Sequence, residues 1–423
     1  MATARTAPSA PPVPPAHRDG NVLRWLAAYT ASLVGDSVYF VALGWSAQKA
    51  AGPAEVGLVM AAGALPRAAL MLGGGVVADR FDLRRVILGG DALRCVLLLA
   101  VAAGVALTAP ALWILVAVAL VFGAVDALFV PAVGALPPRI TSPDQLARVT
   151  GMRSLAMRLA QIAGPPVGGL AMGLGGAVAA FTAAGLLFAL SLPLLLTIRI
   201  RPLETGDAKQ PAPGTAWQDA LDGLRHVRRH RLIGPLVAVG ALCELGLVGA
   251  LNVGLVLLNA ERGWGPSGYG WIVGGFGAGA TAGAALLTVA GRLPRAGLVV
   301  SGTLLAGCAG ASAIAFVPSL GGAVALAAVV GANAGVFSSV GNALVQTAAD
   351  PACLGRVTSV VMLTLVGLPP LGYPLVGAAV EAWGTAPVFV GCGLFAGLGA
   401  LLALASDAVR RAELPRRQPK RAA

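Results

Sequence analysis

The sequence predicts an all-α membrane protein of twelve transmembrane helices, arranged as two six-helix bundles related by a parallel internal repeat. Three observations predict it. The 423-residue chain is 57% hydrophobic and only 11% charged, far from the soluble norm of about 25% charged residues. Apolar runs recur from Leu23 to Ala405 with charges gathered between them, each near the roughly 20 residues a bilayer core requires of a helix. Sliding the chain along itself by 208 residues brings matching glycines, prolines and charges into register.

Across such runs the backbone has no water to bond to, so helices are required. The alternation of a transmembrane barrel is absent. Candidate spans cover 23–46, 55–78, 86–108, 111–133, 148–172, 175–198, 232–258, 268–290, 297–317, 320–344, 357–381 and 385–406. The 58 glycines fit membrane helices, where small residues let neighbours approach closely. An even number of spans puts both termini on one side. Only Lys49 and Arg262 lie in the opposite loops, Arg67 and Arg158 fall inside spans, and every other basic residue lies on or near the side of the tails. That side is expected to be the cytosol of a multi-pass cell-membrane protein.

The expected organisation is a disordered N-terminal tail (1–21), a first bundle (22–198), a polar linker (199–231), a second bundle (232–406) and a basic tail (407–423). The tail lacks the apolar core of a signal peptide. Within the linker, Trp217, Leu221 and Leu224 recur at helical spacing and predict a short amphipathic helix over 215–230, lying on the membrane surface. The net charge of +12 is mostly a topology signal. Its clusters flank apolar spans, which fits anionic headgroups and argues against nucleic acid.

The repeat pairs Gly123 with Gly331, Pro143 with Pro351, Leu146 with Leu354, and Arg148, Val149 and Thr150 with Arg356, Val357 and Thr358. It also pairs Gly164, Pro166 and Gly169 with Gly372, Pro374 and Gly377, and sets Asp36 opposite Glu244. The offset breaks around spans 2 and 8. Parallel six-span repeats meet around a central site near the midplane.

The loop after span 2 carries Gly75, Asp79, Arg80, Arg84 and Arg85, and resembles the signature loop of the major facilitator superfamily. The resemblance implies a cytosolic latch in which Asp79 meets nearby arginines and the N-terminus of span 11 at Arg356, an arrangement favoured by helix-terminal charge. Asp82 and Leu83 depart from the family pattern. Span 5 carries Gly151, Gly164, Pro165, Pro166, Gly168 and Gly169, which is similar to the antiporter motif of that superfamily's exporters, with Ala160 replacing the middle glycine. Ser32 to Asp36, Leu65 to Arg67, Pro131 to Pro137 and Gln346 to Ser359 extend the likeness to the branch that includes macrolide efflux pumps and the enterobactin exporter.

Ionisable groups deep in a span are functional candidates. Asp36, Arg67, Asp126 and Glu244 sit about halfway along their spans or somewhat deeper, Arg158 shallower, which predicts one central polar cavity. A carboxylate held away from water can exchange protons near neutrality where an exposed one cannot. Asp36 ranks first as proton carrier, Glu244 second and Asp126 third, with structural ion pairing as the competing role. Arg67 is expected to pair with Asp36 or Asp126, or else to hold an anionic group of the cargo. Tyr39, Gln161, Asn252, Asn333, Asn342 and Gln346 are candidates for cargo contacts or for bonds between helices.

The expected activity is proton-coupled export of a small amphipathic molecule by a monomer, driven by the proton gradient and using no cofactor. A siderophore exporter, a small-solute importer and a nontransporting receptor are the rivals. No phosphate-binding Gly-x4-Gly-Lys loop is present. The unpaired cysteines (Cys95, Cys243, Cys308, Cys353, Cys392) and loop histidines (His17, His226, His230) support neither a metal site nor an intramembrane enzyme.

Overall fold

The computed structural model describes residues 15–80, 82–108, 111–201, 216–290, 295–350 and 353–414, with side chains described throughout except at 71–80, 216–222 and 290. Among the described residues every regular element is helical. Among the described residues, ten helices are long and apolar enough to cross a membrane. One of these, Leu146–Leu196, holds two, because Gly175 and Gly176 leave helical geometry and Gly176 takes φ 65°. The 28-residue helix Pro53–Arg80 is a further element of crossing length.

In chain order the helices are α1 (Gly20–Ala50), α2 (Pro53–Arg80), α3 (Leu83–Leu107), α4 (Leu112–Gly134), α5 (146–174), α6 (177–196), the linker helix α7 (Ala216–Arg229), α8 (Ile233–Glu261), α9 (Gly265–Ala290), α10 (Ala296–Ile314), α11 (Leu320–Ala348), α12 (Leu354–Trp383) and α13 (Thr385–Ala405). Polar residues fix several starts. Asp19 accepts from the Asn21 amide at the head of α1, and Asp82 and Ser319 do the same for α3 and α11, as side-chain caps do for the unpaired amides of a first turn.

Within the first half α1 packs on α5, α2 on α4 and α3 on α6; within the second α9 and α10 pack on α11, and α10 and α8 on α13. The halves meet along two seams, α5 against α9 and α2 against α12. These seams repeat each other. A Cβ at Gly270 would meet the Pro165 carbonyl and Pro166 Cα, and one at Gly57 would meet the Tyr373 carbonyl and Pro374 Cα. Gly169 abuts the Pro266 carbonyl as Gly377 abuts that of Pro53. Inside each half, Gly123 lies on the Gly63 carbonyl and Gly331 on that of Phe276. Positions 53, 57 and 63 of α2 thus correspond to 266, 270 and 276 of α9. They are 213 residues apart rather than 208, which is why the sequence offset breaks there.

The seam contacts cluster beside residues 51–52 and 262–264, at the end opposite both termini. At the other end Asn21 bonds reciprocally with Arg199, its Nδ2 donating to the Arg199 carbonyl at 3.0 Å and its Oδ1 accepting from the Arg199 amide at 2.8 Å. The amide of Ala16 donates to Gln145 Oε1. The linker helix forms over Ala216–Arg229. Its last turn is not left to the membrane surface, because Val227 is buried with Ile233, Ala349, Val357 and Val360.

Candidate functional site

Four helices of the first half converge on Arg94, which is fully buried in α3. Its guanidinium pairs with Asp126 of α4, lies 3.4 Å from Asp91 one turn earlier and 3.8 Å from Asp36 of α1. The Phe129 ring is 4.1 Å from the guanidinium carbon, with Phe122 and Phe188 just beyond 5 Å, so aromatic faces stabilise the cation where carboxylates do not. Asp91 is the sealed member. Its Oδ2 accepts from Ser32 Oγ at 2.7 Å and from Ser191 Oγ at 2.5 Å.

Asp36 is held differently. Its side chain is 20% exposed, against 8% for Asp126 and none for Asp91. Its Oδ1 has no hydrogen-bond partner among the described residues. Three carboxylates share one guanidinium, so the cluster carries excess negative charge whenever all are ionised. Burying uncompensated charge is costly, and protons are the smallest counter-ions that can relieve it.

Asp126 connects this cluster to a cavity of about 160 Å³ between the halves, lined by Tyr39, Phe40, Arg67, Phe122, Asp126, Asn252 and Tyr373 among others. Tyr39 stacks on Phe122 at 3.8 Å, and its hydroxyl has no partner among the described residues. Arg67, expected to pair with Asp36 or Asp126, forms no ion pair among the described residues. Arg94 takes that place, and Arg67 Nε stays unbonded.

The expectation of one cavity holding all four charges needs correction. Glu244 lies in the wall of a second cavity, about 280 Å³, inside the second half. Here α8 widens into two π-helical stretches, Glu244–Val248 and Ala250–Gly254, with Glu244 facing its own half and Asn252 lining the central cavity. Such widened turns inside α-helices are frequent at functional sites.

The other candidates are dispersed. Asn342 lines the second cavity. Asn252 and Asn333 each donate to a carbonyl four residues earlier on their own helix. Gln161 and Gln346 are exposed and Arg158 is half-buried. In the span 5 motif, a Cβ at Gly164 would meet Ser37 and one at Gly168 would meet Val38, both on α1, while Pro165, Pro166 and Gly169 form the seam with α9 and Gly151 faces open space. Of the latch residues, Gly75, Asp79 and Arg80 have side chains outside the described residues. Arg84 donates to the Leu196 carbonyl at 2.7 Å, Arg85 is 3.8 Å from Asp82, and the Arg356 carbonyl lies against Gly223 of the linker helix.

Asp91, Arg94, Ser191 and Tyr373 were missed. Asp91 and Arg94 stand one turn apart near the tail side of span 3, where Arg94 groups in the sequence with the basic residues on or near the side of the tails. An acid and a base at i, i+3 on one helix face were the available signal.

Two pseudo-symmetric six-helix halves around a polar cavity define a membrane transporter rather than an enzyme. The chain belongs to the Major Facilitator Superfamily, whose family model matches residues 25–293 and 237–423. It is 28% identical over 419 residues to the multidrug efflux pump Tap of Mycobacterium tuberculosis, an alignment covering 92% of this chain and 94% of that protein, and equally similar to the Tap of Mycobacterium bovis. Among solved structures, the nucleoside transporter NupG superposes with a TM-score of 0.70 at 14% identity, covering 93% of this chain and all of that one. A bacterial homologue of the human lysosomal transporter Spinster, in an inward-facing and occupied conformation, gives 0.71 at 15% identity, covering 92% and 96%.

Proposed function

We propose that this secondary transporter is a proton-coupled exporter of small amphipathic molecules, with the Asp36, Asp91, Arg94 and Asp126 cluster as its coupling centre. The observation that carries the reading is a buried guanidinium shared by three carboxylates, one of which, Asp126, also lines the cavity between the halves. Asp36 is the exchanging group. It is the most accessible of the three, stands farthest from Arg94 and has an unbonded oxygen, whereas Asp91 is fixed by two serines.

A proton on Asp36 weakens its hold on Arg94 and frees Arg94 to draw Asp126 away from the cavity. Loss of the proton reverses this. Coupling follows because cargo in the cavity and the proton on the cluster bias the same rocking of one half on the other. Export is supported by the glycine and proline pattern of span 5 and by likeness to a multidrug efflux pump. The tails are placed in the cytosol by the bias of basic residues.

The test is uptake of a fluorescent drug into inverted membrane vesicles under an imposed pH gradient, acid inside. Accumulation that collapses with the gradient is expected. Accumulation indifferent to the gradient, or found only in right-side-out vesicles, overturns proton-driven export.

A further inference from the structure

The second cavity is chemically unlike the first. Its walls come from α8 to α12 and are aliphatic and aromatic, with Leu247, Leu304, Phe276 and Phe337 among them. Three hydroxyls also reach it, but Thr303, Ser338 and Thr364 all bond to carbonyls of their own helices, so they present little polarity. Two polar groups remain, Glu244 and Asn342. Neither forms a hydrogen bond or ion pair among the described residues, and Glu244 is the one charged side chain in the wall.

A carboxylate facing an apolar space without a counter-ion is an expensive arrangement in a membrane and marks a functional site; a cation entering the cavity would complete it. In the central cavity, by contrast, Asp126 is paired with Arg94 and Arg67 stands in the same wall, so that wall offers no carboxylate without a cation beside it. The apolar walls select a hydrophobic body, and the faces of Phe276 and Phe337 add attraction for a cationic head. Asn252, in the second widened stretch of the same helix, lines the central cavity, so α8 borders both.

We infer that the second-half cavity is a binding site for lipophilic organic monocations, with Glu244 as the counter-ion and Asn342 as a neighbouring amide. This deepens the exporter reading and rests on it only in treating the cation as cargo, since binding is measured without flux.

The test is isothermal titration calorimetry of the purified full-length protein in detergent with 4-phenylbutylammonium, and with 4-phenylbutan-1-ol as an uncharged molecule of the same body. The ammonium is expected to bind at least tenfold more tightly than the alcohol. Glu244→Gln should remove that preference while leaving alcohol binding within about twofold, which also shows that the variant is folded. Gly341→Leu, at a wall position where a Cβ meets nothing within 4 Å, should fill the cavity and abolish binding of both.

Equal affinity for the two molecules in the unsubstituted protein would make the cavity an acyl-chain pocket and overturn the proposal. So would ammonium binding unchanged in Glu244→Gln. Glu244-dependent binding without gradient-driven flux would keep this site and sink the exporter reading. Gradient-driven flux without Glu244-dependent binding would do the reverse.

Discussion

Arg94 holds together four helices of the first half, because α1, α3, α4 and α6 each bring it a carboxylate or an aromatic face. Removing it strands three acids. Arg94→Met is expected to cost about 3–5 kcal/mol, the usual cost of leaving a buried charge without its partner, and to show as a large drop in detergent-solubilised melting temperature. Ser191→Ala removes one bond to a buried carboxylate and is expected to cost about 1.5–3 kcal/mol, again read by melting. Asp36 and Asp126 are legible in the sequence because they stand deep in otherwise apolar spans. Asp91 and Arg94 are not, because their burial comes from α1, α4 and α6 closing over them rather than from depth along a span. Glu244 matches Asp36 through the repeat, but a repeat relates backbone positions, not the cavities that side chains enter. The π-helical turns of α8 have no signature in residue spacing.

The halves touch along two glycine-lined seams, and the proposed rocking of one half on the other would have to pass through them. At Gly274 a Cβ would lie 2.7 Å from Pro166 Cγ and 2.9 Å from the Ile162 carbonyl, so Gly274→Val must push α9 off α5. The expected outcome is at least a tenfold loss of transport rate with normal membrane insertion, measured in vesicles matched for protein content. Gly302→Val, where a Cβ also meets nothing within 4 Å, should keep transport within about threefold. Equal effects of the two would separate the seam from the transport cycle. At this scale the sequence was most informative: the glycines and prolines of span 5 and their counterparts Gly372, Pro374 and Gly377 lay in plain register. The matching glycines of α2 and α9 were hidden because the second copy is five residues out of step there. Only packing, with Gly57 and Gly270 against equivalent backbone atoms, restores the correspondence.

The whole molecule is two six-helix bundles pressed together at the end away from the termini, with one cavity between them and another inside the second half. Twelve spans and two halves followed from hydropathy and the repeat, since both are properties of the chain alone. The separation of the two cavities did not, because a cavity is assembled from residues on five or more helices. The central claim is that Asp36 couples a proton to movement of the halves without itself being needed to bind cargo. It is tested most directly in proteoliposomes holding either the unsubstituted chain or Asp36→Asn, by measuring pH-gradient-driven uptake and gradient-free counterflow exchange of one labelled cargo in the same preparation. The account predicts that Asp36→Asn loses the gradient-driven uptake, by tenfold or more, while counterflow stays within about threefold. Gradient-driven uptake by Asp36→Asn at the unsubstituted rate would contradict it.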